Sequence, residues 1–259
     1  MRRLTLLLVL ALSTGLMWTN GSAAVVMENH YMAYSFIGGG ASVTGPIILT
    51  DQFGTTQHTF ALLERFANPV DKNHEGIFDP LFHQTWWAID DPQVPRTVVV
   101  TNQFGSYTWT VQDGRYLVLP ATKNQTPPEP PPQDILNHYK CYDATGPILQ
   151  ETVSLVDQFL NLVEFPLLPL YLCNPVQKQS PLTGEVTEIV DPDMHLACYQ
   201  MVGFNVFVSL TSADQFGART MSDLFSEFFC VPSQKEDPTP AEESSWGVAE
   251  RRDRLNRFT

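Results

Sequence analysis

The chain is short of positive charge and of charged residues in general. Only 17% of its 259 residues are charged, and 15 Lys and Arg stand against 28 Asp and Glu. Removal of residues 1–24, which contain only Arg2 and Arg3, leaves a net charge of −15. Because phosphate binding requires a basic surface, we expect no nucleic-acid partner. The hydrophobic content of 43% is enough for a packed core, so we expect the chain to fold.

The sequence also lacks an apolar run long enough for a membrane anchor. The stretch Leu4–Trp18 falls short of the about 20 residues that a spanning helix needs. It follows Arg2 and Arg3 and precedes the small residues Ser22 to Ala24, which is the arrangement of a secretory signal peptide. We therefore expect residues 1–24 to be a signal peptide. The rest is expected to be secreted, whether extracellular, periplasmic or at the cell surface, without inserting into a membrane.

Catalytic signatures are missing as well. The sequence has no Gly-x-Ser-x-Gly, no His-Glu-x-x-His, no phosphate loop that ends in Gly-Lys-Ser/Thr and no dinucleotide-binding glycine pattern. We therefore expect no cofactor and no metal, and an enzyme is not the favoured interpretation.

What the sequence does contain is one pattern written four times. Each copy begins with a His, followed three and four residues later by a pair drawn from Ala, Cys, Trp and Tyr. Asp or Asn followed by Gln-Phe comes 19 to 21 residues after the His, and a Pro and a Lys three residues apart close the copy. In the order of copies one to four, the marker residues are His30, His83, His138 and His195; Asp51, Asn102, Asp157 and Asp214; Phe53, Phe104, Phe159 and Phe216; and Lys72, Lys123, Lys178 and Lys235.

Each copy is predicted to contain four short strands. In copy two, Arg96–Thr101 and Tyr107–Val111 are rich in β-branched and aromatic residues and flank a hairpin turn. Asp113-Gly114 then predicts a tight turn into a further strand. Twenty Pro and 15 Gly also favour a turn-rich all-β protein. We expect the copies to be arranged two and two in a sandwich- or barrel-like fold, with a small four-bladed, propeller-like ring as the alternative.

The expected domain organisation follows the proline content. Residues 25–123 hold copies one and two, and residues 135–235 hold copies three and four. Between them, residues 124–134 contain Pro127 to Pro132, interrupted only by Glu129, and are expected to form a stiff spacer. Residues 236–259 fall outside the repeat and are expected to be a disordered tail or a loosely held helix.

The four cysteines occur only in the second half of the chain and change in pairs between copies. Copies three and four each have two Cys that are 32 residues apart. The aligned positions hold two Ala in copy one, and Trp and Val in copy two. Paired replacement is typical of a disulfide, because half a bridge leaves a reactive thiol. We predict the bridges Cys141–Cys173 and Cys198–Cys230; buried free thiols and a metal site are the disfavoured alternatives.

These signatures resemble those of secreted bacterial tandem-repeat β domains of unknown function, whose unit combines His-x-x-Cys-Tyr, Asp-Gln-Phe-Gly and Leu-Cys-x-Pro-x-x-Lys. Copy four matches through His195, Cys198, Tyr199, Asp214 and Cys230, among others. Copy three keeps both Cys but has Leu160 in place of the Gly. Copies one and two lack the two Cys, and copy two also has Asn102 in place of the Asp. The resemblance implies secretion and an all-β repeat fold, and it implies no catalytic residues.

Residues that recur in all four copies are interpreted as structural. The Asp or Asn suits a turn, and the Phe suits a core anchor. A calcium loop is disfavoured, because each turn offers a single carboxylate. Each closing Lys is predicted to pair with the Asp or Asn of its own copy. The four histidines are interpreted as hydrogen-bonded structural residues, with a shared metal site on a symmetry axis as the alternative.

Residues that occur in one copy only are the better functional candidates. In copy two, Tyr107 and Trp109 lie near Trp86 and Trp87, and such aromatics can stack on sugar rings; core filling is the alternative. In copy one, His58 and His74 are of the type that binds metals or acts in acid–base catalysis; a solvated loop is the alternative.

Three functions remain in order of preference. The first is a non-catalytic secreted or cell-surface protein with a structural or adhesive binding role, whose partner is an unknown extracellular protein or glycan. The second is a carbohydrate-binding module that uses the aromatics of copy two. The third is a hydrolase or metal-binding protein with its site in copy one.

Overall fold

The computed structural model describes residues 28–237, and this part of the chain is all β. It contains no helix, and therefore none long and apolar enough to cross a membrane. The predicted signal peptide and most of the predicted tail lie outside the described residues.

The strands follow the repeat. Each copy has a first strand, a second strand that forms a hairpin with the third, and a short closing segment around its Lys. The first strands are β1 (Tyr31–Ile37), β5 (His83–Asp91), β8 (Tyr139–Thr145) and β14 (His195–Gln200). The second strands are β2 (Ser42–Asp51), β6 (Arg96–Asn102), β9 (Val153–Val156) and β15 (Asn205–Asp214). The third strands are β3 (Gly54–Pro69), β7 (Gly105–Lys123), the pair β10 (Asn161–Glu164) and β11 (Leu168–Pro175), and β16 (Gly217–Glu236). The remaining short strands are β4 (Asp71–Lys72), β12 (Gln177–Gln179) and β13 (Val186–Thr187).

Eight strands, two from each copy, form one closed antiparallel sheet. Their order is β1-β16-β14-β11-β8-β7-β5-β3, and β3 pairs with β1 to complete the circuit. The expected all-β, barrel-like class is confirmed. The proline-rich segment 124–134 does not divide this sheet, because β7 of copy two pairs directly with β8 of copy three. The copies therefore close into a single ring of strands.

Alternation along these strands creates two hydrophobic cores. Side chains that point into the closed sheet form the inner core, which includes Tyr31, Trp86, Cys141 and Phe228. An eight-stranded closed sheet has an interior just wide enough for its own side chains. Side chains on the outer face, such as Tyr142 and Trp87, form a larger outer core together with residues of the four hairpins. The hairpins thus form a second layer around the closed sheet.

The closing segments join copies that are two places apart in sequence. Each segment pairs with the second strand of the opposite copy, and in each case the Lys lies opposite the residue two before the Asp or Asn. The register pairs are Lys72 with Leu155, Lys123 with Ser212, Lys178 with Leu49, and Lys235 with Val100. Copy one is therefore joined to copy three, and copy two to copy four, with the same register each time.

Two details differ from the sequence-based expectation. The predicted third and fourth strands run together into one long strand in copies one, two and four, and only copy three separates them. The predicted turn at Asp113-Gly114 is wrong, because both residues lie inside β7. Gly114 is needed there for a close approach: a Cβ atom on it would lie 2.8 Å from Oδ2 of Asp91. The register of β7 against β8 is irregular on both sides of Gly114.

Candidate functional site

The hairpin tips show what the recurring Asp and Asn do. In each tip, one side-chain oxygen accepts a hydrogen bond from the backbone N–H of the Phe two residues later. The oxygen-to-nitrogen distances are 2.8 Å for Asp51, 2.9 Å for Asn102, 2.8 Å for Asp157 and 2.7 Å for Asp214. This is the Asx-turn geometry that the sequence predicts. The other side-chain atom is left free to bond elsewhere.

That second atom bonds to the first strand of the opposite copy. The hydroxyl of Tyr142 donates to Asp51 at 2.7 Å, and that of Tyr34 donates to Asp157 at 2.7 Å. Trp87 donates its indole N–H to Asp214 at 2.9 Å. Asn102 reverses the direction, because its amide donates to the hydroxyl of Tyr199 at 2.9 Å.

The Phe of each tip packs against the aromatic residue that also bonds to the Asp or Asn of that tip. The ring centroids are 5.1 Å apart for Phe53 and Tyr142, 5.5 Å for Phe104 and Tyr199, 5.7 Å for Phe159 and Tyr34, and 4.9 Å for Phe216 and Trp87. All four pairs are edge-to-face, a favourable arrangement for aromatic rings. The tips are therefore anchored by one polar and one aromatic contact each.

The closing lysines extend the ring of contacts to the next copy. Each ammonium group lies over the Phe of the following copy: Lys72 over Phe104, Lys123 over Phe159, Lys178 over Phe216, and Lys235 over Phe53. The prediction that each Lys pairs with the Asp or Asn of its own copy is wrong. The reason is that the hairpin tip of each copy lies against other copies and never returns to its own closing segment.

Two of the four recurring histidines bond to hairpin tips. Nε2 of His30 lies 3.3 Å from the amide nitrogen of Gln103, and His195 is hydrogen bonded to Gln52. Burial, together with the neighbouring lysine, lowers the pKa of His83 and of His138 to about 3. Burial also lowers the pKa of His30 and of His195 to about 4. These imidazoles are neutral at physiological pH.

The four histidines do not assemble a metal site. His30 and His195 bond to different hairpin tips, and Nε2 of His138 bonds instead to Gln133 at 3.1 Å. Within residues 28–237, no group of three or more His, Cys, Asp or Glu is placed to hold a metal ion. Among the histidines, only His30 and His195 bond to the hairpin tip of another copy.

Both disulfides lie in the inner core. Cys141 bonds to Cys173 across β8 and β11, and Cys198 bonds to Cys230 across β14 and β16, the pairing that the sequence predicts. All four residues are fully buried. In copy one, Ala33 faces Ala67 at the matching register position. Two disulfides are typical of a protein that folds in an oxidising compartment.

The aromatics of copy two belong to the outer core. Trp109 is 1% exposed, and its ring packs against Tyr199 with centroids 5.7 Å apart. The hypothesis that Trp109 stacks on a sugar is therefore wrong, because no face of the ring reaches solvent. Tyr107 is half-buried and donates its hydroxyl to the carbonyl of Phe104. Trp86 and Trp87 are fully buried, which confirms core filling.

The structure does not bring the two histidine candidates of copy one together. His58 is buried beside a pocket of about 460 Å³ between β3 and the end of β5. Its Nε2 lies 2.9 Å from the hydroxyl oxygen of Thr56. His74 lies in the exposed turn after β4, where its nearest acid is Asp71 at 4.0 Å. His58 and His74 therefore do not form one site.

Behind His58 lies a buried ion pair that sequence reasoning missed. Lys140 is 1% exposed, contacts Asp91 and donates to the hydroxyl of Thr56 at 2.8 Å. The signal was available in the repeat alignment. Asp91 lies eight residues after the His of its copy, where copies one, three and four have Gly38, Gly146 and Gly203. The pair supports the closed sheet between copies two and three and does not face the pocket.

An exposed apolar surface lies where the copy-four hairpin meets β1, and it has the features of a binding site. Phe207 is 82% exposed on β15, Ile37 is 71% exposed on β1, and Phe225 is 39% exposed on β16 between them. In the register of these strands, Phe225 lies opposite Asn205 on one side and Ser35 on the other. Phe207 lies two residues after Asn205, and Ile37 lies two residues after Ser35. We refer to Ile37, Phe207 and Phe225 as the copy-four surface.

Apolar residues collected on one exposed face are unusual in soluble proteins and mark interaction sites. The copy-four surface could not be found from the hydropathy of the sequence, because the same residue types also fill the cores. Its recognition depends on knowing which strands are neighbours.

Comparison with known proteins places the chain in a family. Residues 83–232, which are more than half of the chain, match the model of the DUF7450 family, described as a repeat of unknown function. The chain therefore belongs to this family of repeats. The match spans copies two and three and nearly all of copy four. No curated protein and no solved structure matches the chain.

Proposed function

We propose that this chain is a non-catalytic, secreted or cell-surface protein that binds an extracellular protein through the copy-four surface. The observation that carries the proposal is the exposure of Ile37, Phe207 and Phe225 on three adjacent strands. Large apolar side chains presented together to solvent are typical of protein-binding sites.

The arrangement of the repeat supports a non-catalytic role. The Asp, Asn, Phe and Lys residues that recur in every copy are occupied by contacts between copies, as are His30 and His195. His58 and His74, the candidates for acid–base chemistry, lie apart: His58 is buried and bonded to Thr56, whereas His74 lies in an exposed turn. The copies differ from one another mainly in the solvent-exposed outer surface of their hairpins.

The buried disulfides support secretion. Cytosolic proteins rarely keep such bridges, whereas secreted and periplasmic proteins use them often. The arrangement of residues 1–24 as a signal peptide points the same way. Secretion is accordingly part of the proposal.

The test is a binding array of extracellular proteins and glycans, with this chain itself among the proteins, probed with the purified full chain. We expect at least one protein to be captured. Capture is expected to be lost in Phe207→Ser and kept in Val94→Ser, a matched control because Val94 is 78% exposed on another part of the surface. Absence of any capture, or capture that Phe207→Ser leaves unchanged, would overturn the proposal. Capture of glycans alone would indicate a carbohydrate-binding protein whose site does not include the buried Trp109. Chemical conversion of a captured ligand, abolished by His58→Ala, would establish an enzyme instead.

A further inference from the structure

The second strand of each copy has an outer edge, and the covered part of this edge differs among the four copies. The closing segment of the opposite copy covers part of each edge. An uncovered edge presents free backbone N–H and C=O groups to any other extended chain. The length and the sequence of each uncovered edge therefore show where a further strand can pair with the sheet.

Three of the four edges are closed or blocked. In β9, the N–H and C=O of Ser154 both bond to Asn73. The uncovered part of β6 is the three residues Arg96–Val98, which follow Pro95 and begin with a charge. The uncovered part of β2 contains Gly45-Pro46 at a break in the register. Proline and charged residues are the usual means by which proteins prevent pairing at sheet edges.

The edge of β15 has none of these protections. In the described part of the chain, β7 covers only Ser212 and Ala213, and Asn124 bonds the backbone of Thr211. Among residues 28–237, no strand lies on the outer side of Asn205–Leu210. They contain no Pro, no Gly and no charge, and residues 200–213 are uncharged throughout. A bulge sets Phe207 and Val208 opposite the single residue Asp223, but it lies on the side of β16.

We propose that β15 pairs antiparallel with β15 of a second copy of this chain, so that the protein binds itself through the copy-four surface. The inference rests on the proposed function and names its partner. A two-fold axis at Phe207 places Phe207 against Phe207 of the second copy, Val206 against Val208, and Asn205 against Ser209. An antiparallel pair is the arrangement that two-fold symmetry produces from identical strands.

The distribution of charge indicates that a second copy can approach at β15. The chain carries a net charge of −13, so two copies repel each other over most of their surface. The 14 uncharged residues around β15 form a region where they can approach without placing carboxylates face to face. Pairing of the free edges also satisfies the backbone groups of both strands at once and brings two exposed aromatic rings into contact.

The test is sedimentation velocity on the full chain between about 1 and about 300 µM, the range in which a small, transient interface assembles. We expect a concentration-dependent dimer. Phe207→Lys is expected to remove it, and Val94→Lys, at a residue of similar exposure, is expected to keep it. A chain that stays monomeric over the whole range, or a dimer that Phe207→Lys leaves intact, would overturn the inference.

Paired charges test the register itself. Asn205→Lys combined with Ser209→Lys places like charges opposite each other at both ends of the proposed strand pair and is expected to abolish the dimer. Asn205→Lys combined with Ser209→Glu places opposite charges there and is expected to keep it, because cross-strand ion pairs are favourable. Equal behaviour of the two double variants would overturn the proposed register and the inference with it.

The array and the sedimentation experiment separate the two proposals. A monomeric chain that captures a different protein, with capture lost in Phe207→Ser, would support the proposed function and refute self-association. A monomer that captures nothing would refute both.

Discussion

The hydroxyl of Tyr142 donates a hydrogen bond to Oδ2 of Asp51 at 2.7 Å, although the two residues are 91 positions apart and belong to copies three and one. The same relationship joins Tyr34 to Asp157 in the reverse direction, from copy one to copy three. Neither copy therefore completes its own polar contacts. The ring is the smallest unit in which all four hairpin tips find their partners.

The first prediction concerns this contact. Tyr142→Phe removes one of the two inter-copy donors to Oδ2 of Asp51 and leaves only Asn174, at 3.1 Å. Because Asp51 is buried, we expect the free energy of unfolding to fall by about 1–3 kcal/mol. Urea unfolding followed by fluorescence measures the change.

Tyr107→Phe is the matched control for that variant. Its hydroxyl bonds to the carbonyl of Phe104 in a partly exposed position, where water can replace it. We expect this variant to change the free energy of unfolding by less than about 0.5 kcal/mol. An equal loss in the two variants would contradict the role assigned to the contact between copies.

Local features of this fold were predictable from sequence, and contacts between copies were not. The turns at Asp51 and Asp214 follow from one residue and its neighbours, and the disulfides follow from paired replacement. The partner of each tip is 91 to 127 residues away, and sequence spacing favours no such partner over a nearby one. The prediction that each closing Lys pairs with the Asp or Asn of its own copy was wrong for this reason.

The candidate sites show the same limit. Tyr107–Val111 alternates as a half-buried strand should, but the alternation does not tell which face meets the second layer of the fold. The ring of Trp109 is buried because the first strand of copy four lies against it, as its contact with Tyr199 shows. The copy-four surface was missed for the converse reason, since an exposed Phe and a buried Phe are the same letter in the sequence.

The second prediction concerns pH. Burial lowers the pKa of His138 to about 3 from its ordinary value of 6.5. Above pH 6.5 this residue is neutral in both the folded and the unfolded chain. As the pH falls below 6.5, only the unfolded chain takes up the proton, so stability is lost until the folded pKa is reached. His83, His30 and His195 act with the same sign.

The variant His138→Gln isolates this effect. We expect its free energy of unfolding, relative to the unmodified chain, to improve by about 2 kcal/mol between pH 7 and pH 4.5. The raised pKa values of the buried Glu28 and Asp214 act with the opposite sign, but they are common to both proteins and cancel in the difference. His74→Gln is the control for the substitution itself, because that side chain is 80% exposed. A difference that does not vary with pH would refute the assignment of His138 as a buried neutral imidazole.

The third prediction concerns the disulfides. The double variant Cys141→Ala, Cys173→Ala recreates the facing pair Ala33 and Ala67 of copy one. We expect the fold to be kept and the free energy of unfolding to fall by about 3.5–4 kcal/mol, the effect of opening a loop of this length. Circular dichroism and urea unfolding provide the two measurements. Loss of the sheet signal in native buffer would contradict the expectation.

Burial also predicts how the native bridges respond to reductant. Because all four Cys are fully buried inside the closed sheet, we expect dithiothreitol to leave both bridges intact in native buffer and to reduce them only after unfolding. Alkylation and mass measurement report the number of free thiols. Rapid labelling of the native protein would show that the sulfur atoms are accessible and would contradict their placement in the inner core.

The last prediction concerns the ion pair of Lys140 and Asp91. Each single change, Lys140→Met or Asp91→Gly, leaves one buried charge without its partner, and we expect a loss of about 3–5 kcal/mol in the free energy of unfolding. The double variant recreates the combination found between copies four and one, where Gly203 and Met32 occupy the equivalent positions. We expect it to be within about 1 kcal/mol of the unmodified chain or more stable, because a buried ion pair often contributes no more than apolar packing of similar volume. A double-mutant cycle in urea measures the coupling, and additive losses would show that the two side chains act independently of each other.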